Sequence, residues 1–199
     1  MDVKDAVRKN RSYRRFHEDI KIPSEHLLSM VEMATMTPSG RNIQALKYCI
    51  AASDELNGRI FKTLGWAGYL RDWDGPAPGE RPSAYIIQMI DNNIATDCMC
   101  DDGIQAQSIL LRATELGYGG CMIATVNRKE LSSILSLPDN LRIRMVIAVG
   151  KPKETVVLER MKDGDCKYWR DSSGIHHVPK RPLQEICFFA DCGTGFVSK

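Results

Sequence analysis

Two short stretches hold the side chains best suited to chemistry. Asn10-Arg11-Ser12-Tyr13-Arg14-Arg15-Phe16 brings three guanidinium groups and a hydroxyl within five residues. Planar guanidinium forks make bidentate, charge-assisted bonds to phosphate oxygens, and a serine adds one short neutral donor. Pro38-Ser39-Gly40-Arg41-Asn42-Ile43-Gln44 sets a hydroxyl and two carboxamides on a Pro/Gly turn. Such groups both donate and accept, so they can read the polar edge of a flat heterocycle. Lys4, Arg8 and Lys9 make the N-terminal segment more basic still, yet the whole chain is only +2. That balance suits one small polyanionic ligand. A nucleic-acid or acidic-partner module using the basic cluster is the competing class, and it normally needs a broader positive field.

The rest of the chain offers binding groups and no catalytic apparatus. No serine sits in a Gly-x-Ser-x-Gly elbow. Asp101 and Asp102 are consecutive helical positions and diverge, so they make poor acid/base partners. Seven cysteines, among them the Cys98-x-Cys100 pair, Cys187 and Cys192, are scattered without a repeated spacing. His176 and His177 are adjacent and would face opposite ways on a strand. No metal site is expected, and the thiols read as reduced and mostly buried. Gly117-Tyr118-Gly119-Gly120 follows a helix and precedes a strand, the reverse of a dinucleotide fingerprint. Gly117 serves as a helix stop, while Gly119 and Gly120 would let backbone approach a flat ligand. A bound cofactor that carries the chemistry would explain this inventory. No apolar run reaches the ~18 residues of a membrane span, and Asp2 and Asp5 interrupt any signal core. No membrane contact and a cytoplasmic location are therefore expected.

The elements that must position these groups follow from pattern. At 199 residues, 43% apolar and 26% charged, the chain should build one well-buried core. Residues 2–9 read as a helix with Val3, Ala6 and Val7 on one face. Ser24 is expected to cap a helix with Leu27, Leu28, Val31 and Ala34 at helical spacing, ending before Pro38. A strand over 46–52 leads to a helix capped by Asp54. Residues 65–82, rich in Gly, Pro and Trp, read as a loop. Trp66, Tyr69 and Trp73 would either anchor it or make it a substrate lid. The apolar run 84–90 reads as a strand buried on both faces. The longest helix is expected over 95–116, with Ile104, Ser108, Leu111, Ala106 and Ala113 packed inward. Asn127 should cap a helix over 129–135, and 141–149 should be a strand closed by Gly150 and Pro152. The last fifty residues are polar and poorly periodic, like an arm lying on another surface. A single domain over 1–199 is expected, with the arm at about 153–199.

In this order the landmarks resemble the nitroreductase-like FMN oxidoreductases over nearly the whole chain. Arg11-Ser12-x-Arg14-x-Phe16 and Pro38-Ser39-x-x-Asn42-x-Gln44 carry the resemblance. Gly117-x-Gly119, Gly150-x-Pro152 and Lys180-Arg181 before Pro182-Leu183-x-Glu185 support it. The resemblance implies an α+β sandwich, with a central, mostly antiparallel sheet between helices. It implies a homodimer whose extended C-terminal arms pack on the partner, with two FMN sites at the interface. Arg11, Ser12 and Arg14 would hold the FMN phosphate, with Lys180 and Arg181 closing on it. Pro38, Ser39, Asn42 and Gln44 would meet the ring and ribityl chain, with Gly119 and Gly120 supplying backbone nearby. Arg41 would be a positive charge near the ring. NADH or NADPH would reduce the flavin and then give way to a nitroaromatic, a quinone or a related electrophile in ping-pong order. The alternative is a flavin-binding store or redox sensor without efficient turnover. Asn10, where many relatives have arginine, and Ala45, where proline is common, depart from the pattern.

Overall fold

The computed structural model describes residues 1–189. The part of the expected arm beyond them, with Cys192, lies outside the described residues. The described residues divide into two compact units: Met1–Gly68 with Asp72–Lys153, and Tyr69–Arg71 with residues 154–189.

The first unit runs α1 (Val3–Lys9), β1 (Phe16–His17), α2 (Ser24–Thr35), β2 (Leu46–Ala51), α3 (Asp54–Phe61), β3 (Ala84–Asp91), α4 (Asp101–Glu115), β4 (Gly119–Ile123), α5 (Arg128–Ile134) and β5 (Leu141–Pro152). Strand β5 pairs with β3, β4 and β1, and β2 pairs with β3, every pairing antiparallel. Period-2 alternation sends neighbouring residues of β3 to opposite faces. Ala84 and Ile86 join Leu27 and Met30 of α2 and Ala106, Ile109 and Ala113 of α4. Tyr85 and Ile87 join Ile60 of α3 and Leu131 of α5. The unit is thus a sheet between two helical layers, an α+β sandwich as expected.

Several local expectations are corrected. Helix α2 begins at Ser24, which makes no capping bond, because the Pro23 carbonyl already accepts from His26 and Leu27. Ser53, not Asp54, caps α3 by accepting from the Leu56 N–H. Helix α4 starts at Asp101 and not near 95. The Asp97 carboxylate accepts from the Cys98 and Met99 N–H groups, and Met99 takes a φ of +52°, so that segment turns instead of coiling. The inward face of α4 is Gln105, Ala106, Ile109, Leu110 and Ala113, while Ile104 is exposed and Ser108 and Leu111 are only partly covered. Strand β5 runs on through Gly150 to Pro152, where it takes up β1. Val3 and Val7 of α1 are exposed.

Other expectations hold. Asn127 caps α5 through the Glu130 N–H, and β3 is buried on both faces. Gly117 closes α4 at a φ of +81°, with Tyr118 N–H on the Ala113 carbonyl and Gly117 N–H on that of Thr114. No helix among the described residues is long and apolar enough to cross a membrane.

The second unit has β6 (Val156–Arg160), β7 (Trp169–Arg170) and β8 (His176–Lys180) in a three-stranded sheet with β8 central. The sequence reading missed these strands. His177 stacks on Trp169 at 4.1 Å and bridges Glu159 and Asp171. Its bonds to Asp171 and Glu159 raise its pKa above the usual imidazole value.

Candidate functional site

The first motif is strapped to the edge of β4. Ser12 forms a parallel bridge with Gly120, and the Tyr13 N–H donates to the Gly120 carbonyl at 3.0 Å. Two glycines make this approach possible. A Cβ on Gly119 would lie 2.5 Å from the Tyr13 ring and 2.8 Å from Pro152, and one on Gly120 would strike the Ala148 carbonyl oxygen and Leu110. Gly119 and Gly120 are therefore explained by packing against protein.

The charged heads of the strap are partly engaged. Arg11 donates from Nε to the Asn10 carbonyl at 2.5 Å and from Nη2 to the Val7 carbonyl at 2.9 Å, which caps the end of α1. Burial lowers its pKa from the usual guanidinium value. Arg14 Nη1 reaches the Ser12 carbonyl at 3.4 Å, and the Ser12 side chain is exposed. Arg15 is committed elsewhere, with a two-pronged bond to Glu80 at 2.6 Å on each arm. Those bonds from Arg15, against some burial and with help from Lys153, hold the Glu80 carboxyl down to about 2.

The second motif sits at the other end of α4. Ser39 Oγ donates to Asp101 Oδ2 at 2.6 Å, and the Gly40 N–H donates to Oδ1 at 2.9 Å. Ser39 Oγ in turn accepts from the Gln44 N–H at 3.0 Å, and Gln44 Nε2 donates to the Asn42 carbonyl at 3.2 Å. Arg41, Asn42 and Gln44 have φ values of +50°, +57° and +54°. Non-glycine residues rarely take this left-handed conformation, and three within four positions mark a loop held in place by its surroundings. Pro38, Arg41 and Asn42 are exposed. Arg41 lines a cavity of about 340 Å³ with Ile43, Ile94, Asp97 and Met99.

The first turn of α4 beneath this loop is fixed to the sheet. Asp102 pairs with Arg144 of β5 at 2.7 Å, and its backbone carbonyl accepts from Gln88 of β3. Burial opposes the charge on Asp102, yet the bonds from Arg144 and the Gly103 N–H hold its carboxyl below the usual range. Gln105 accepts from Tyr48 of β2 at 2.6 Å, and burial pushes the Tyr48 hydroxyl up to about 12.

The fold therefore gathers Arg11, Ser12 and Arg14 with Gly119 and Gly120, and separately gathers Pro38, Ser39, Asn42 and Gln44. Leu110, beside Gly120, lies nine residues along α4 from Asp101. At 1.5 Å per residue that is about 14 Å of helix between the two groups. Lys180 and Arg181 belong to the second unit, where Arg181 pairs with Glu185 at 3.2 Å. In the 65–82 loop, Trp66 packs against Phe61 at 5.7 Å and meets Trp73 edge-on at 6.5 Å, so these two rings anchor it. Tyr69 belongs to the second unit and meets Tyr168 at 5.0 Å. Among the described residues, no cluster of three or more His, Cys, Asp or Glu could hold a metal ion. Sequence reasoning missed Asp101, whose role depends on a bond across 61 to 62 positions.

Comparison with known proteins agrees with this fold. Residues 79–151 match the model of the Nitroreductase family. An iodotyrosine deiodinase from Thermotoga neapolitana is 22% identical over 165 residues, spanning 75% of this chain and 88% of the relative. A nitroreductase family protein from Clostridium novyi NT superposes with a TM-score of 0.63 at 25% identity, over 77% of this chain and 88% of that one. An FMN-dependent nitroreductase from Clostridium difficile R20291 does so with a TM-score of 0.66 at 18% identity, over 93% and 97%. In the sequence of residues 79–151 the chain resembles the Nitroreductase family, and its fold is that of nitroreductase-family structures.

Proposed function

We propose that the protein is a homodimeric, FMN-dependent oxidoreductase. It takes reducing equivalents from NADH or NADPH and passes them to a nitroaromatic, a quinone or a related small electrophile. The likeness to a deiodinase keeps reductive removal of halide within the same class. One observation carries the reading: two donor sets of different chemistry, one cationic and one amide-rich and strained, sit at opposite ends of one helix.

The donor sets fit the two ends of FMN. Arg11, Ser12 and Arg14 offer charge and hydroxyl to a phosphate, and Arg11 can exchange its two backbone carbonyls for a stronger, charged acceptor. Lys180 and Arg181 are proposed to add charge to the same phosphate. Pro38, Ser39, Asn42 and Gln44 are proposed to meet the ring and ribityl chain, with the exposed Asn42 carboxamide facing the polar edge and Arg41 adding positive charge. The part proposed for Gly119 and Gly120 is to seat the strap and keep backbone near the cofactor.

FMN, when bound, supplies the hydride-accepting ring, and the protein supplies orientation, water exclusion and electrostatics. The separation of the two sets along one helix supports a homodimer. Ile104, Ser108 and Leu111 form an outward stripe on α4 between them, and Val3, Val7, Met36 and Met99 leave further apolar surface exposed. Two copies packed antiparallel along that stripe would bring the strap of one beside the Ser39 loop of the other.

The test is an absorbance spectrum of purified protein before and after anaerobic NADPH, then NADH. Flavin bands that bleach support the reductase. Bands that persist favour the store or sensor, and a colourless protein that refuses added FMN contradicts both.

A further inference from the structure

The Ser39 loop is held in shape by one carboxylate that no motif marks. Asp101 opens α4 and is only 4% exposed. Both of its oxygens are spent on the loop, Oδ2 on the Ser39 hydroxyl and Oδ1 on the Gly40 N–H. Because Ser39 Oγ also accepts from the Gln44 N–H, the chain of bonds runs from Asp101 through Ser39 to Gln44 and encloses all three left-handed residues. Such a conformation persists only where neighbouring groups over-determine it. The helix N-terminus stabilises the buried negative charge, and α4 is itself pinned to β2, β3 and β5 through Gln105 and Asp102. The loop is therefore tied through one side chain to a helix that is itself bonded to three strands. Asp102, its neighbour, faces Arg144 and makes none of these bonds.

We propose that Asp101 is a positioning residue for the cofactor. Its carboxylate, acting through Ser39, keeps residues 39–44 in the conformation that meets the flat, polar edge of the ligand. This rests on the flavin reading above and adds a residue to it. The carboxylate touches neither cofactor nor substrate, and its effect is on how much of the binding geometry exists before the ligand arrives.

The test compares wild type with Asp101→Asn, Asp101→Ala and Asp102→Asn. It measures amide hydrogen exchange at Gly40 and Gln44 in cofactor-free protein, FMN dissociation constants by fluorescence, and thermal midpoints. Asp101→Ala should speed exchange at both amides and weaken FMN roughly tenfold or more, the scale of a lost charge-assisted bond. Asp101→Asn, which keeps one acceptor, should fall between, and it carries the test if the alanine variant does not fold. Asp102→Asn should lower the midpoint and affect exchange and FMN affinity far less than either Asp101 variant. Ser39→Ala added to Asp101→Ala should speed exchange at Gln44 little further, because both break one chain of bonds. Unchanged exchange or unchanged affinity in folded Asp101 variants overturns the proposal. So does an Asp102→Asn protein that loses FMN as severely. A wild type that takes up no FMN overturns the flavin reading, and exchange at Gly40 and Gln44 then decides the clamp alone.

Discussion

At the Gly120 end of α4 the strap 10–14 has no residue at positive φ, and its cationic heads rest on protein carbonyls. At the Asp101 end the reverse holds: three backbone positions are strained, and Asn42 presents its side chain to solvent. The first end is satisfied without a ligand and must exchange partners to bind one. The second, in the proposed site, is already in the shape that would meet the ligand, and the fold bears the cost of that shape. Charge tolerates adjustment because its field falls off gradually, whereas recognition of a flat edge by amides depends on placement within tenths of an ångström.

Substitutions can break this contrast at either end. Arg11→Ala and Arg14→Ala should each weaken FMN retention by about 1.5–3 kcal/mol, read from FMN titrations. Unchanged affinity in both would remove the strap from the site. Gly120→Val should lower stability by about 1–3 kcal/mol in urea unfolding, since one neighbour of its new Cβ is a backbone carbonyl that cannot move aside. Arg41→Gly and Gln44→Gly should do the opposite to stability. Each should raise it by roughly 0.5–1 kcal/mol, the relieved strain less glycine's greater chain entropy, while FMN binding weakens. A glycine variant that unfolds more easily yet binds FMN normally would show that the loop is not strained for function.

A pH-dependent effect concerns the root of the strap. Bonds from Arg15 and Lys153 hold Glu80 at about 2, below its ordinary 4.5. A carboxyl depressed in the folded state stabilises fully above its unfolded pKa. Its contribution is therefore complete above about 4.5 and lost as pH falls from there through about 2. Glu80→Gln should flatten stability against pH across that window, measured by urea unfolding. An unchanged slope would mean that other carboxylates carry it.

That each motif's residues come together was legible because they are neighbours in the chain, and residue type then suggested an anion-binding set and an amide reader. Helical and strand periods likewise showed β3, α5 and the Gly117 stop. Three things were not legible, for physical reasons. Asp101 and Glu80 act through bonds to residues 61 to 65 positions away, which local pattern does not encode. On α4 the apolar set spreads round more than half the helix, so the inward face was decided by packing of Ala106, Ile109 and Ala113 against the sheet. Strands β6 and β8 hold Glu159, Arg160, His177 and Lys180, and their parallel pairing joins residues twenty apart. Charges within so short a strand erase its period-2 signal.

The proposed homodimer would build each site from two copies of the chain. Arg11→Ala/Arg14→Ala protein and Ser39→Ala/Asn42→Ala protein, each deficient in FMN, should be unfolded together, refolded as a mixture and titrated with FMN. Random pairing should make half the dimers mixed, each with one intact and one doubly damaged site, so roughly a quarter of wild-type sites should return. No recovery, with dimers formed, would place the whole site within one chain and contradict the account.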